Sequence, residues 1–272
     1  MTPDVDIIIV SFNTREDLVA CLASIDANPP ARLRRIVVVD NDSTDGSVQA
    51  ARSRFPEVQV IALDRNVGFG AANNVALRET GAPLALLLNS DTLVPAGAVD
   101  TLAERLTTTN AVAVGPRLID RQGRPEISFG PMLSPLAELR QKIWHWLAGG
   151  DSGFARRAVA RHLGREREVA WVTGACLLVR REAAGAAGFF DERYFMYEED
   201  VDLCAALRAG GGRVLFTPRA EVIHRRGRSM TRAGSQAAVY YDQSHLAFYD
   251  KHAPQWAPWL RHWLRLRGRR IR

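Results

Sequence analysis

Lysine is nearly missing from this sequence, cysteine is scarce, and no long apolar run occurs. Only Lys142 and Lys251 stand among 36 basic residues; the rest are arginine. Arginine suits bidentate phosphate recognition, but a bias this broad is also what a genome's codon composition produces, and that explanation carries more weight. The three cysteines, Cys21, Cys176 and Cys204, are scattered, odd in number and set in apolar context. That pattern argues against a disulfide framework or a metal-ligand spacing and fits a reducing cytoplasm. The apolar run from Ile7 to Phe12 is too short for a signal peptide or a membrane span. No glycine-rich dinucleotide fingerprint follows it, and no P-loop lysine, so nicotinamide enzymes and P-loop NTPases lose ground. No nucleophile elbow occurs either.

What is present is ordinary globular composition, 47% hydrophobic and 24% charged in 272 residues, enough for one sizeable α/β domain or two small ones. The most informative stretch is Leu84-Ala-Leu-Leu-Leu-Asn-Ser-Asp91, an apolar run that stops abruptly in polar residues. It predicts a strand buried on both faces with a carboxylate at its carboxyl end, where an open α/β sheet binds ligands. A Ser-Asp pair after a strand is also an ordinary turn or helix N-cap. Similar units precede it. Asp6 to Phe12 predicts a first strand, and Thr14 with Asp17 resembles a capping box opening the next helix. Arg35 to Val39 runs into the acidic loop Asp40-Asn-Asp-Ser-Thr-Asp-Gly46. Val58 to Leu63 runs into Arg65-Asn-Val-Gly-Phe-Gly70 and a helix from Ala71 to Glu79, and a fifth strand is expected at Ala111 to Val114. Repeated strand, polar loop and helix indicate a mostly parallel sheet with helices on both faces. Ser11, Asp40 and Asp91 then converge on one crevice.

The second half is less regular. Four prolines (Pro116, Pro125, Pro131 and Pro135) and an amphipathic stretch from Leu136 to Leu147 fill the span from Arg117 to Glu168. Val169 to Val179 returns to strand composition, interrupted at Gly174, as where a backbone or ligand comes close. Glu198, Glu199 and Asp200 open a helix that stops at Gly210. The helix dipole accounts for their sign, yet five aromatics adjoin them (Phe189, Phe190, Tyr194, Phe195, Tyr197), which suits a general base beside a sugar. Arg213 to Phe216 predicts a strand, followed by His224-Arg-Arg-Gly-Arg-Ser229, a loop suited to phosphate. The end, Pro254 to Arg272, spaces Trp256, Trp259, Leu260, Trp263 and Leu264 helically, with six arginines after Leu260 and no acid. A basic amphipathic helix on an anionic membrane and a helix packed on the domain both fit, the membrane slightly better. No nucleic-acid motif accompanies the charge, and no nucleic-acid partner is expected.

In this order, Ile-Val-Ser-Phe-Asn13, Val-Asp-Asn-Asp-Ser-Thr-Asp-Gly46, Asn-Val-Gly-Phe-Gly-Ala-Ala-Asn73, Asn-Ser-Asp91, Trp-Val-Thr-Gly-Ala175, Phe-Asp-Glu…Tyr-Glu-Glu-Asp200 and His224 resemble the inverting glycosyltransferases of family 2. Their rhamnosyltransferase-type members are the most similar. The resemblance implies the GT-A fold over residues 1–252, with a nucleotide-sugar half at 1–115, an acceptor half at 116–252 and a basic amphipathic tail at 253–272. It implies a metal-dependent inverting enzyme that moves a sugar from a nucleotide diphosphate to a hydroxyl of a glycan or polyprenyl-linked saccharide in bacterial surface polysaccharide synthesis. The first choice of donor is dTDP-rhamnose; UDP- and GDP-hexoses, or a non-catalytic carbohydrate-binding scaffold, are the alternatives. Asp91 matches the family's metal-binding acid, with Asn89 where the first acid of that motif stands elsewhere, and His224 completes the shell for Mg²⁺ or Mn²⁺. Ser11, Asp40 and Asn41 match base and ribose contacts; Asn66, Gly68, Asn73, Asn89 and Ser90 match the donor pocket. Trp171 and Gly174 lie on the acceptor side. Asp200 matches the catalytic base, with Glu199 orienting it or capping the helix, and Arg225, Arg226 or Arg228 facing the leaving diphosphate. The implied setting is cytoplasmic and peripheral on the inner membrane face.

Overall fold

The computed structural model describes residues 4–150, 152–225 and 228–269. The first half alternates as expected: β1 (Val5–Ser11), α1 (Arg15–Ala27), β2 (Leu33–Asp40), α2 (Ser47–Arg54), β3 (Gln59–Ala62), α3 (Phe69–Glu79) and β4 (Leu84–Asn89). A two-residue strand, β5 (Thr92–Leu93), and α4 (Ala98–Thr108) close it. The irregular span then folds as β6 (Ala113–Ile119), β7 (Pro125–Glu126), β8 (Phe129–Gly130), α5 (Pro135–Ala148), α6 (Gly153–Leu163) and β9 (Arg167–Val169). Next come β10 (Trp171–Val172), β11 (Cys176–Arg180), α7 (Arg181–Ala186), α8 (Glu199–Ala209) and β12 (Val214–His224). Two helices, α9 (Arg228–His252) and α10 (Ala257–Leu266), end the described chain.

The main sheet runs β3-β2-β1-β4-β11-β6-β12-β5, with β7 and β9 added at β6 and β12. β3, β2, β1 and β4 are parallel, as are β6 and β12, while β11 runs antiparallel to both β4 and β6. One sheet therefore spans both halves of the chain, and the expected division at 115/116 falls inside β6. The unbroken apolar runs follow from burial on both faces. Ile7, Ile9, Leu86 and Leu88 pack under α1 and α4, while Ile8, Val10, Ala85 and Leu87 pack under α3 and α8. Each such side chain contributes roughly 1.5–3 kcal/mol when fully buried. All three cysteines are buried and unpaired within these two layers.

Three local expectations change in the structure. The capping box at Thr14 is not made: its hydroxyl bonds sideways to Ser11 and Ser90, because the crevice offers closer partners than the helix does. The stretch from Val169 to Val179, expected to be interrupted at Gly174, is broken at Ala170 as well: Val169 ends β9, and β10 and β11 belong to different sheets. The strand begun at Arg213 continues to His224, since β6 offers a parallel edge as far as Ile119. In the tail, α10 packs Ala257 and Leu260 with α9, as the packed-helix reading expects; Leu264 is also buried, and Trp259 is 71% exposed. Among the described residues no helix is long and apolar enough to cross a membrane.

Candidate active site

β2 and β3 extend from one side of β1, and β4 lies on the other. Connections leaving in opposite directions open a crevice at the carboxyl ends of β1 and β4. A hydroxyl chain spans it, from Ser11 Oγ to Thr14 Oγ1 (3.0 Å) and on to Ser90 Oγ (2.8 Å). At the end of β2, Asp40 Oδ2 accepts the Ser43 N–H (2.9 Å), while its Oδ1 is buried without a partner. Leaving a buried acceptor unpaired costs about 1–3 kcal/mol, which a ribose hydroxyl or base N–H would relieve. Asn73 is fully buried in α3, its Nδ2 donating to the Phe69 carbonyl (3.0 Å) and its Oδ1 unpaired.

Asn41, Asn66 and Gly68 meet, but chiefly by holding one another. Asn41 Nδ2 donates to Asn66 Oδ1 (2.9 Å) and to the Gly68 carbonyl (3.2 Å), and its Oδ1 accepts the Val67 N–H (2.9 Å). Gly68 sits at φ +91°, and a Cβ there would lie 2.3 Å from the Phe195 carbonyl oxygen. Only glycine fits both demands. The Phe69 N–H donates to that same carbonyl (3.0 Å), so the loop is fastened to the aromatic segment ahead of α8.

Beyond β4, Asp91 faces His224 across a pairing in which β12 sets His224 opposite Thr92. Asp91 Oδ1 lies 3.2 Å from His224 Nε2, and Glu126 Oε2 lies 3.1 Å from His224 Nδ1. Burial works to lower the imidazole's pKa, but the two carboxylates outweigh it and push it up to about 9. The Arg225 N–H donates to the Asp91 carbonyl (2.7 Å), and its guanidinium lies 3.3 Å from the buried Asp17. Glu126, His224 and Arg225 line a cleft of about 540 Å³ together with Arg121, Arg124 and His145. Arg226 and the Arg228 side chain lie outside the described residues. Among those residues no three His, Cys, Asp or Glu side chains form a ready metal cage. Asp91 and His224 supply one oxygen and one nitrogen side by side, a donor pair that fits Mg²⁺ or Mn²⁺ if a bound phosphate supplies further ligands. Glu126, on the far nitrogen, orients the ring as carboxylates behind metal-bound histidines do.

The acids of α8 stand on the other wall. The Gly174 N–H donates to Asp200 Oδ2 (2.7 Å) and the Val201 N–H to Asp200 Oδ1 (2.8 Å). Burial raises the pKa of Asp200, with the Glu198 charge adding to it against these N–H groups. A Cβ at Gly174 would meet the Phe69 ring at 3.2 Å, a tight contact, and the Cβ of Asp200 at 3.4 Å, an ordinary one. Because the Ala175 carbonyl accepts the Asn89 N–H (3.0 Å), Gly174 and Asp200 are carried to the end of β4, close in sequence to Asp91. Glu199 is buried, one oxygen has no partner, and desolvation together with Asp200 raises its pKa well above the usual range. Glu198 takes φ +64° and accepts from His245 Nδ1 (2.8 Å). His245 Nε2 lies 3.2 Å from Glu138 of α5, which Tyr249 also bonds. Trp171 is partly buried, its Nε1 donating to the Pro131 carbonyl (2.8 Å), and it packs against Tyr194 and Phe248.

Sequence reasoning missed Glu126, Glu138 and His245. Glu126 carries no local signal. His245 does, since Tyr241, His245 and Tyr249 recur at four-residue spacing on one face of α9, the first two rings stacked and the last two meeting edge to face.

The family model for Glycosyl transferase family 2 matches residues 6–164. An N-acetylglucosaminyl-diphospho-decaprenol L-rhamnosyltransferase of Mycobacterium tuberculosis is 32% identical over 282 residues, covering 97% of this chain and 90% of that protein. Among solved structures, the mannosyltransferase PcManGT from Pyrobaculum calidifontis, in complex with GDP-Man and Mn²⁺, superposes with a TM-score of 0.62 at 19% identity, over 96% of this chain and 69% of that one. GalNAc-T7 with UDP, GalNAc and Mn²⁺ gives 0.62 at 15% identity, over 83% and 44%. These likenesses establish the GT-A fold.

Proposed function

The chain belongs to glycosyl transferase family 2, and from that premise we propose that it transfers a sugar, with inversion, from a nucleotide diphosphate to a hydroxyl of a lipid-linked saccharide. Rhamnose is the first choice of sugar, since the Mycobacterium tuberculosis relative is an L-rhamnosyltransferase and the sequence motifs resemble that subgroup; dTDP as its carrier rests on the sequence resemblance. Residues 1–252 form the transferase domain and 253–272 its tail. The observation that carries the reading is Asp200, clamped by Gly174 beside the end of β4.

The acceptor oxygen attacks the anomeric carbon as the bond from that carbon to the diphosphate oxygen breaks, and Asp200 takes the hydroxyl proton. Its raised pKa brings it nearer the range in which a base both holds and releases a proton. Asp91 and His224 would hold a divalent cation, which when bound neutralises charge growing on the leaving diphosphate. Arg225 adds positive charge at the same cleft. Ser11, Asp40, Asn89 and Ser90 shape the nucleotide side, with Asn41, Asn66, Gly68 and Asn73 holding the loop and helix behind it. Trp171 and Gly174 form the acceptor side.

The test is calorimetry with Mn²⁺ and dTDP-, UDP- and GDP-sugars on the wild type and on Asp91→Ala. One nucleotide is expected to bind, only with metal, and to lose binding in the variant. Absence of any nucleotide binding, or binding indifferent to both metal and Asp91, would overturn the reading in favour of a carbohydrate-binding scaffold.

A further inference from the structure

Two helices, α5 and α10, turn an apolar stripe to solvent. In α5 it consists of Leu136, Leu139, Ile143 and Trp146, the last 76% exposed. At α10 it consists of Trp256, Trp259, Trp263 and Leu266. Both stripes follow the same spacing (i, i+3, i+7, i+10), which keeps each on one helical face. Of the eleven large apolar side chains exposed among the described residues, these two stripes hold eight. Such a concentration marks an interaction surface rather than chance exposure. The opposite faces are occupied: Trp144 and Leu147 of α5 pack on the core, and Ala257 and Leu260 of α10 pack with α9. Tyr249 of α9 joins the two helices, bonding Glu138 of α5 through its hydroxyl and packing with Ala257 through its ring.

The charge around the stripes is positive. Arg140 and Lys142 border the α5 stripe on either side and are exposed. The one acid of α5, Glu138, is taken up by His245 and Tyr249. Residues 254–272 contain no acid at all, and Arg267 stacks over Trp263 at 4.1 Å. Tryptophan with arginine beside an aliphatic stripe suits the headgroup layer of an anionic bilayer, where rings lie at the interface and cations meet lipid phosphates. The end of α5 also lines the cleft beside His224 and Arg225, through His145 and Ala148.

We propose that α5 and α10 together form the face by which this protein lies on an anionic bilayer, with α5 bringing the cleft to the membrane edge. The surface is argued from its own residues; the purpose assigned to it rests on the lipid-linked acceptor proposed above.

The full chain would be sedimented with vesicles of phosphatidylcholine alone and with about 30% phosphatidylglycerol, at low salt and at about 0.5 M salt. Binding is expected on the anionic vesicles, weakened by salt and slight on neutral ones. Leu139→Ser with Trp146→Ser, and separately Trp259→Ser with Trp263→Ser, should each lower partitioning at least about tenfold. Nucleotide binding in calorimetry should not change, since neither pair touches the cleft. No binding to anionic vesicles would overturn the proposal. So would an α5 variant that binds as the wild type does, or a dimer in light scattering that the α5 variant splits, which would assign the face to a second copy. Vesicle binding combined with equal transfer to a water-soluble acceptor would instead sink the lipid-acceptor reading and leave the docking face standing.

Discussion

On the β4 wall of the cleft, Asp91 meets His224, and His224 meets Glu126, so each carboxylate there has a cation beside it. On the α8 wall, Glu198, Glu199 and Asp200 follow one another in the chain, and His245 answers only the first. Asp200 is balanced by two backbone N–H groups and Glu199 keeps an unpaired buried oxygen. The first wall is organised to hold charge and can exchange its internal ion pairs for a cation and a phosphate. The second is organised to make holding charge uncomfortable, which favours taking up a proton. The contrast assigns binding to one side and proton transfer to the other.

The sharpest way to break that contrast is Asp200→Asn. It keeps the shape but removes the base, and transfer should fall by about 10²–10⁴-fold while calorimetric donor binding stays at the wild-type value. A matching loss of donor affinity would show that the two walls do not divide the work. The next effect concerns the one cation of the α8 wall. Burial lowers the pKa of His245, but Glu138 and Glu198 more than compensate, raising it from 6.5 to about 9. A group raised in the folded state stabilises fully below its unfolded pKa and loses that contribution as pH rises through the folded one. His245→Gln should therefore cost roughly 2–3 kcal/mol near pH 6, and the deficit should shrink between about pH 7 and 9 in thermal melts. The histidine at the β4 wall is present in both proteins and cancels from the difference. A pH-independent deficit would mean that His245 packs rather than pairs. The smallest effect is expected for Glu199→Gln. Its carboxyl is held toward the neutral form, so the amide is a near replica, and transfer should stay within about tenfold of wild type. A loss as large as that of Asp200→Asn would move the base to Glu199.

Much of this arrangement was legible in the sequence. Alternating apolar runs and polar loops predicted the parallel half of the sheet, because strands buried on both faces leave an unbroken apolar signature. Asp91, Asp200 and His224 were singled out; in the structure Asp91 and His224 meet after β4 and at the end of β12, and Asp200, at the start of α8, is held near the end of β4 through Gly174. The roles around them were less legible. Asn41 and Asn66 lie in a recognisable pattern, yet only in the folded chain do their amides engage each other and the backbone of Val67 and Gly68. Thr14 looked like a cap and instead bridges Ser11 and Ser90. The amphipathic pattern of α5 was plain, but not that four of its apolar residues would face outward. Periodicity marks a stripe without saying what lies against it.

By itself the sequence determined the alternating strands and helices of the first half and the polar residues that end them, since these follow from burial patterning and the chemistry of short segments. Tertiary structure alone decided which distant groups became partners: Glu126 with His224, Glu138 and Glu198 with His245, Gly174 with Asp200. It also left the stripes of α5 and α10 uncovered. Pairings of that kind depend on where β11 enters the sheet and how α9 crosses the segment before α8, and no local run of residues encodes a distance across the fold.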